Sequence, residues 1–377
     1  MKLLLVANRY PANPADRASP FLPGFAAALS RAGAEVRVVT PDYGARPNEE
    51  EARVRRFPGT RDGRVVGALR PWWPPDALAL AGLMRRWSAA IAGEARDMRP
   101  DAVMACWALP SGWLSREASR DLRVPLGVWC LGSDILVWGA HPLGRMWVVP
   151  VLRAAAVCWA DGMTLAERAS RLAGRPCAFL PSWHELPPPE PVALEEPADA
   201  PIALMVGRLE ASKGMLTFMA AAERLLARSP AARIHVVGWG GLAGRVARWA
   251  GDPARGGRAR FWGPQPPGVI HALLRRCSCA VIPTTLDSIP LVFGEAVQAG
   301  ARLVVSDHGD LPGLVRQYGL GVAFRAGDPE ACAQAMLETM AGGGGSEEGR
   351  ARLVADFSPA RAARRVLDDF VAAGARA

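Results

Sequence analysis

The sequence predicts an α/β chain made of two doubly wound parallel-sheet units in tandem. Three observations lead there. Short apolar runs alternate with helix-period segments from end to end, which is the pattern of strands buried on both faces. The runs fall into two sets, separated by "ELPPPEPVALEEPADAP", whose prolines and carboxylates suit a semi-rigid exposed connection. A length of 377 residues, half of them apolar, suffices for two cores.

"KLLLVA" opens the first unit. In the following "NRYPANPADRASPFLPG", Ser19 and Pro20 can cap and begin a helix whose Phe21, Phe25 and Leu29 face inward. "AEVRVVT" is the second strand. In "RPWWPPDALALAGLMRRWSAAIAG", Arg70 to Gly93, Leu80, Met84, Trp87 and Ile91 recur at helical spacing. That stripe packs on the front sheet and leaves Trp72, Trp73, Arg85 and Arg86 to touch an anionic membrane surface. "DAVMACW", "PLGVWC", "AAVCWA" and "CAFLP" complete the unit. The second set is "IALMVG", "RIHVVG", "ARFWG", "CAVIP", "RLVVSD" and "GVAFR". "AGGGGSEEG" reads as a flexible loop before a last helix, "SPARAARRVLDDFVAAG". The expected divisions are residues 1–186, 187–360 and a C-terminal helix over 361–377. Ligands of such units bind beyond the carboxyl ends of the strands, here in an interdomain cleft.

Formal charge is +9, with 24 basic and 17 acidic residues up to Leu186 against 21 and 19 thereafter. This bias suits membrane surfaces, nucleic acid or phosphorylated ligands without selecting among them. Only Lys2 and Lys213 are lysines, so Lys213 calls for a local explanation. Seven cysteines without paired spacing give neither a zinc ladder nor a disulfide framework, and point to a reducing compartment. "MKLLLVANRY" is too short an apolar run for a signal peptide, and no run of about 18 apolar residues occurs. The expected location is cytoplasmic, with a peripheral position on the inner membrane face open to it.

Three loops of the second unit carry candidate chemistry. After "IALMVG", Arg208 ends a strand and Lys213 with Gly214 precedes a helix, so two cations and a helix N-terminus suit a diphosphate. "VVGWGGLAGR" contains a loose Gly-x-Gly-x-x-Ala, but Arg258 stands where a nicotinamide site would need an acid, and a structural turn fits better. In "DSIPLVFGEAVQAG", Asp287 and Glu295 lie eight positions apart, with Pro290 placed for a first helical turn. If the whole stretch is helical, the acids are roughly 12 Å apart along the axis. Carboxylates accept from hydroxyls, and amides near Ser288 and Ile289 donate to phosphate or sugar oxygens. The structural alternative makes Asp287 a helix cap and Glu295 a solvated side chain.

"GRLEASKG" followed about 70 residues later by "DSIPLVFGEAVQAGARLVVSD" resembles the retaining glycosyltransferases of family 4, which have the GT-B fold. The resemblance implies that Arg208 and Lys213 hold the diphosphate of a nucleotide sugar. It also implies that Asp287 lies near the sugar hydroxyls and Glu295 on the ribose, so neither acid needs to attack the sugar. In the first unit, Cys106 and Leu131 stand where His is common in the family, while Gly132, Ser133 and Asp134 remain as an acceptor-side loop together with Ser19 and Cys106.

The expected function is therefore transfer of a sugar, with retention, from a nucleotide-sugar donor to a saccharide or lipid-linked acceptor in surface polysaccharide or glycolipid synthesis. Arg208, Lys213 and Asp287 carry the catalytic role, and no metal, cofactor or nucleic acid is expected. A nucleotide-sugar epimerase and a catalytically silent binding protein are the competing readings. His184 reads as a hinge or packing residue. Asp368 and Asp369 read as solvated residues of the last helix rather than a metal pair.

Overall fold

The computed structural model describes every residue except 14, 15, 17, 45–52, 71, 198, 343–344 and 377. The chain divides into two compact units, one of residues 1–184 with 358–377 and one of residues 185–357.

Unit 1 is a parallel sheet of β1 (Lys2–Ala7), β2 (Glu35–Asp42), β3 (Val54–Pro58), β4 (Ala102–Cys106), β5 (Leu126–Cys130), β6 (Val157–Ala160) and β7 (Ala178–Phe179), in the order β3-β2-β1-β4-β5-β6-β7. Its helices are α1 (Phe21–Arg31), α2 (Pro74–Met98), α3 (Trp113–Leu122), α4 (Pro142–Ala154) and α5 (Met163–Ala173). β1 and β4 pair from Leu3↔Ala102 to Ala7↔Cys106, and both are buried, as strands covered on two faces must be. The edge strand β3 is absent from the sequence reading, because "VRRFP" puts two arginines inside a five-residue run. Those arginines are partnered locally: Arg55 faces Glu94 at 3.8 Å, and Arg56 donates to the carbonyls of Tyr10 and Pro11.

Within α2, Trp87 and Ile91 are buried, and Trp87 packs on Phe57 at 5.6 Å. The helical stripe is thus core. Arg86 donates to the carbonyls of Pro58 and Gly59 and is committed to the fold, whereas Trp72 and Trp73 are 80% and 56% exposed.

Unit 2 contains β8 (Ile202–Arg208), β9 (Arg233–Trp239), β10 (Ala259–Phe261), β11 (Cys279–Ile282), β12 (Leu303–Ser306) and β13 (Gly321–Phe324), in the order β10-β9-β8-β11-β12-β13. Its helices are α6 (Met215–Arg228), α7 (Ala243–Ala250), α8 (Pro267–Arg276), α9 (Leu291–Ala299), α10 (Leu311–Tyr318), α11 (Pro329–Met340) and α12 (Glu347–Phe357). α12 occupies part of the stretch read as a loop. Its charged face hides the periodicity, yet Leu353 and Phe357 are buried.

The chain then re-enters unit 1 as α13 (Pro359–Ala372), which packs against α1. Phe370 meets Trp159 edge-on at 5.4 Å, and both crowd Gly127 of β5, where an added Cβ would lie 2.5–2.6 Å from their rings. Asp369 accepts the Trp159 indole N–H at 2.8 Å and pairs with Arg365. It is a docking residue, not the solvated acid expected from its position, because the helix turns that side toward β6.

Candidate functional site

Sheet order fixes where unit 2 can bind a ligand. β8 is its first strand and lies between β9 and β11, so chain direction around the sheet reverses at β8/β11. Crevices at such reversals, beyond the strand ends, are the binding sites of doubly wound sheets. Arg208 ends β8, a short 3₁₀ turn Ala211–Lys213 follows, and Asp287 lies in the loop after β11.

These two loops are fastened to one another. The Thr285 amide donates to the Ser212 carbonyl at 3.0 Å, and the Thr285 hydroxyl donates to the same oxygen at 3.2 Å. Gly214, at φ +75°, approaches Pro283 so closely that an added Cβ would sit 1.8 Å from the Pro283 carbonyl oxygen. Only glycine meets both requirements, the left-handed backbone and the close approach.

Across this junction Lys213 Nζ donates to both carboxylate oxygens of Asp287, at 2.6 and 2.7 Å. The Thr284 hydroxyl donates to Asp287 Oδ2 at 2.8 Å, and Ser306 in turn donates to the Thr284 carbonyl. Lys213 and Asp287 side chains are 18% and 22% exposed, so the pair is partly shielded but reachable. Arg208 is exposed and paired with Glu210 at 3.0 Å. The two cations expected to converge are therefore each engaged by a carboxylate. The first amides of α6, beginning at Met215, lie directly after Lys213 and have no intrahelical partner.

The helix bearing the second acid starts later than the spacing suggests. Pro290 is extended (ψ 148°) and precedes α9, which begins at Leu291. Residues 287–290 are thus irregular, and the 12 Å helical separation of Asp287 and Glu295 does not apply. Ser288 and Ile289 lie in this loop rather than in a helical turn, and the loop after β12 closes on them: the Asp310 amide donates to the Ser288 carbonyl, and Gly309 abuts the Ser288 backbone. Glu295 stands in α9, half-buried. Thr284, Ser306 and Gly309 escaped the sequence reading, since short polar residues and glycines at strand ends carry no periodic signal. "VVGWGGLAGR" forms a turn in which an added Cβ would lie 1.8 Å from the Gly207 carbonyl oxygen at Gly238 and 2.7 Å from the Leu209 carbonyl oxygen at Gly240, which explains these two glycines structurally.

In unit 1 the corresponding reversal lies at β1/β4. Asn8, just after β1, donates to the Leu109 carbonyl at 2.9 Å and accepts from the Ser111 amide and hydroxyl at 3.2 and 2.5 Å. Asp134 extends the junction to the next loop. Its carboxylate accepts from the amides of Ala108, Leu131 and Ile135 at 2.9, 3.3 and 3.2 Å. Burial pushes this carboxyl up to about 6, against the pull of those amides.

Asp134 consequently positions the loop rather than facing a ligand. Cys106 is also corrected: it is fully enclosed at the end of β4, and burial raises its thiol far above the ordinary range. Ser19 has φ +52° and makes no side-chain cap, so α1 is entered through backbone hydrogen bonding instead. Ser133 is exposed, and Gly132 is left-handed at φ 111°. Trp107, at φ +75° between Cys106 and Ala108, is a rare conformation for an aromatic residue and marks this rim as well.

Comparison with known proteins bears on both units. Residues 19–183 match the family model described as a glycosyl transferase 4-like domain, and residues 200–341 match that described as glycosyl transferases group 1. D-inositol 3-phosphate glycosyltransferase of Corynebacterium urealyticum is 27% identical over 179 residues, 46% of this chain and 41% of that protein. The match thus spans less than half the length of that relative. TuaC of Bacillus subtilis, whose name assigns it to teichuronic acid biosynthesis as a glycosyltransferase, is 24% identical over 342 residues, 84% of each chain. Among solved structures, sucrose-phosphate synthase of Thermosynechococcus elongatus superposes with a TM-score of 0.76 at 17% identity, covering 98% of each chain. Anabaena HepE in complex with UDP-glucose gives 0.70 at 16% identity, covering 99% of this chain and all of that one. These two share the fold.

Proposed function

Because this chain belongs to family 4 of the glycosyltransferases, we propose that it moves a sugar from a nucleotide-sugar donor held by unit 2 to a saccharide or lipid-linked acceptor taken by unit 1, with retention of configuration. The observation that carries this reading is the Lys213–Asp287 pair at the β8/β11 reversal. A cation and a hydroxyl acceptor stand side by side there, next to the amino end of α6, as an anionic group attached to a polyol requires.

In the proposed reaction the donor diphosphate displaces Asp287 from Lys213 and takes Arg208 from Glu210. Asp287 is then released to accept from sugar hydroxyls, and Glu295 accepts from the ribose. The bond between the anomeric carbon and the diphosphate oxygen breaks while the acceptor oxygen bonds to that carbon from the same face. The acceptor proton passes to the departing diphosphate. Charge growing on the leaving group meets Lys213, Arg208 and the helix end, which serve this step without a metal.

UDP-glucose, present in the HepE complex, is the first donor to try, and the teichuronic acid biosynthesis in the name of TuaC favours a role in polysaccharide synthesis. The deciding experiment incubates the protein with labelled nucleotide sugars and a panel of saccharide and lipid-linked acceptors. Transfer supports the reading. Altered sugar released without an acceptor supports an epimerase, and binding without turnover a silent binding protein.

A further inference from the structure

We propose that unit 1 docks on anionic lipid through α4 and the turn before it, a surface distinct from the Trp72–Trp73 segment; this rests on the lipid-linked acceptor reading. The observation is an apolar helix with only one face covered. Apart from Arg145 and Arg153, every residue of α4 is apolar or glycine. Gly144, Val148, Val151 and Leu152 are buried, while Leu143 and Met146 are 68% and 60% exposed and Trp147 is 46% exposed. The π-helical turn Asp134–Trp138 and the short link to α4 add Val137 and Trp138, at 58% and 46%. Five large apolar side chains within eleven residues are thus left in water.

A helix apolar on all sides needs an apolar neighbour on each side, and a patch this concentrated marks an interaction surface. Charge selects the partner. Residues 135–160 contain no carboxylate, and α4 carries the exposed Arg145 and Arg153, each of which gives its Nε–H to a backbone carbonyl, of Gly139 and Ala173, and keeps its terminal guanidinium nitrogens for headgroups. On one margin Trp147 packs on Trp113 at 4.8 Å, and Arg116 lies over the Trp113 ring at 4.8 Å. Apolar tips, interfacial tryptophans and a basic border match the boundary between acyl chains and anionic headgroups. A helix of 13 residues, roughly 20 Å long, can lie in that boundary but cannot cross a bilayer.

The patch also begins where a lipid-linked acceptor would have to arrive. Gly132 and Ser133 immediately precede the turn, whose amides at Ile135 and Leu136 donate to the Gly132 carbonyl. Docking this turn would present the acceptor headgroup at the loop with no further travel.

The test is co-sedimentation of the full chain with vesicles of phosphatidylglycerol and phosphatidylcholine in equal parts, and with phosphatidylcholine alone. Binding should require phosphatidylglycerol, weaken with added salt, and fall about tenfold or more in Leu143→Asp plus Met146→Asp. Trp72→Ala plus Trp73→Ala should retain most of it. Vesicles with brominated acyl chains should quench the parent's fluorescence and lose that effect in Trp138→Tyr plus Trp147→Tyr, which guards against a misfolded charged variant. Undiminished binding of the Asp variant, or no binding at low salt, overturns the proposal. A parent chain that is dimeric in solution, and monomeric as the Asp variant, overturns it too by making the patch a self-contact. Transfer to a soluble saccharide acceptor is measured in parallel. Transfer without vesicle binding defeats the docking surface alone, whereas absence of transfer to every acceptor defeats the glycosyltransferase reading.

Discussion

Asp287→Asn should tighten binding of a bare nucleoside diphosphate while it damages sugar transfer. Asp287 holds Lys213 through two contacts of 2.6 and 2.7 Å. At an effective dielectric of about 20, opposite charges about 3 Å apart attract by roughly 5 kcal/mol before desolvation is subtracted. A pair about one-fifth exposed retains a net of about 1 to 2 kcal/mol. A diphosphate must displace that contact to reach Lys213. Neutralising the competitor should therefore lower the diphosphate Kd by about fivefold to thirtyfold, since 1.4 kcal/mol is a factor of ten. Lys213→Ala should do the reverse and cost about 2 to 3 kcal/mol of binding. Transfer efficiency should fall in both variants, by roughly 30- to 150-fold in Lys213→Ala. Calorimetric titration of UDP into the parent, the two single variants and the double variant reads the sign directly. Weakened binding in Asp287→Asn comparable to that in Lys213→Ala would show that the acid supports the phosphate site rather than competing for its cation.

Four further outcomes follow from the geometry. Glu295→Gln should weaken donor binding, and a 2′-deoxy donor should lose little more in that variant; fully additive losses in calorimetry would mean that carboxylate and hydroxyl do not meet. Gly214→Ala should cost about 3 kcal/mol in urea unfolding, because the new Cβ would lie 1.8 Å from the Pro283 carbonyl oxygen at a φ of +75°. Phe370→Ala should destabilise unit 1 by about 3 to 4 kcal/mol by opening the core around Gly127 and Trp159; a loss under about 1 kcal/mol would mean that α13 is not held there. Burial raises the Asp134 carboxyl to about 6, so between about pH 4 and 6 the folded state holds a proton that the unfolded chain has released. Unit 1 should lose up to about 3 kcal/mol of stability as pH rises through that window, and Asp134→Asn should flatten the slope.

Strand positions were legible because, among the described residues, twelve of the thirteen strands fall on apolar runs visible in the sequence. Parallel strands buried on both faces have nothing else to be made of. β3 was not, since its arginines are satisfied by Glu94 and by two backbone carbonyls that only the fold brings near. At the candidate donor site, residue types and chain positions were readable, but the pairing was not. Two cations near a helix start suggest a shared ligand, while the structure divides them between Asp287 and Glu210. Asp134 illustrates a further limit: a carboxyl in a Gly-Ser-Asp loop reads as ligand-facing until three amides are found to own its oxygens.

The two units carry the same construction with different chemistry. In each, the loops after the first and fourth strands in winding order are fastened by short polar groups, Asn8 with Ser111 in unit 1 and Ser212 with Thr285 in unit 2. Such fastening fixes the floor of the crevice before any ligand arrives, so little binding energy is spent on ordering it. Charge is where the crevices part. Unit 2 places Arg208, Lys213 and Asp287 at its junction, while that of unit 1 is lined by Asn8, Ser111 and Trp107, with the carboxyl of Asp134 turned inward and capped by amides. An anionic ligand gains from exchanging an ion pair for its own phosphate contacts in the first case, whereas in the loop after β1 Arg9 is paired with Asp16 and Arg56 is engaged by the carbonyls of Tyr10 and Pro11. Neutral hydroxylated surfaces suit the second, where amide and hydroxyl partners discriminate by geometry rather than charge. The proposed division of donor and acceptor between the units rests on this difference in charge, and exchanging Asn8 for lysine should draw anions to unit 1 without restoring transfer to Lys213→Ala.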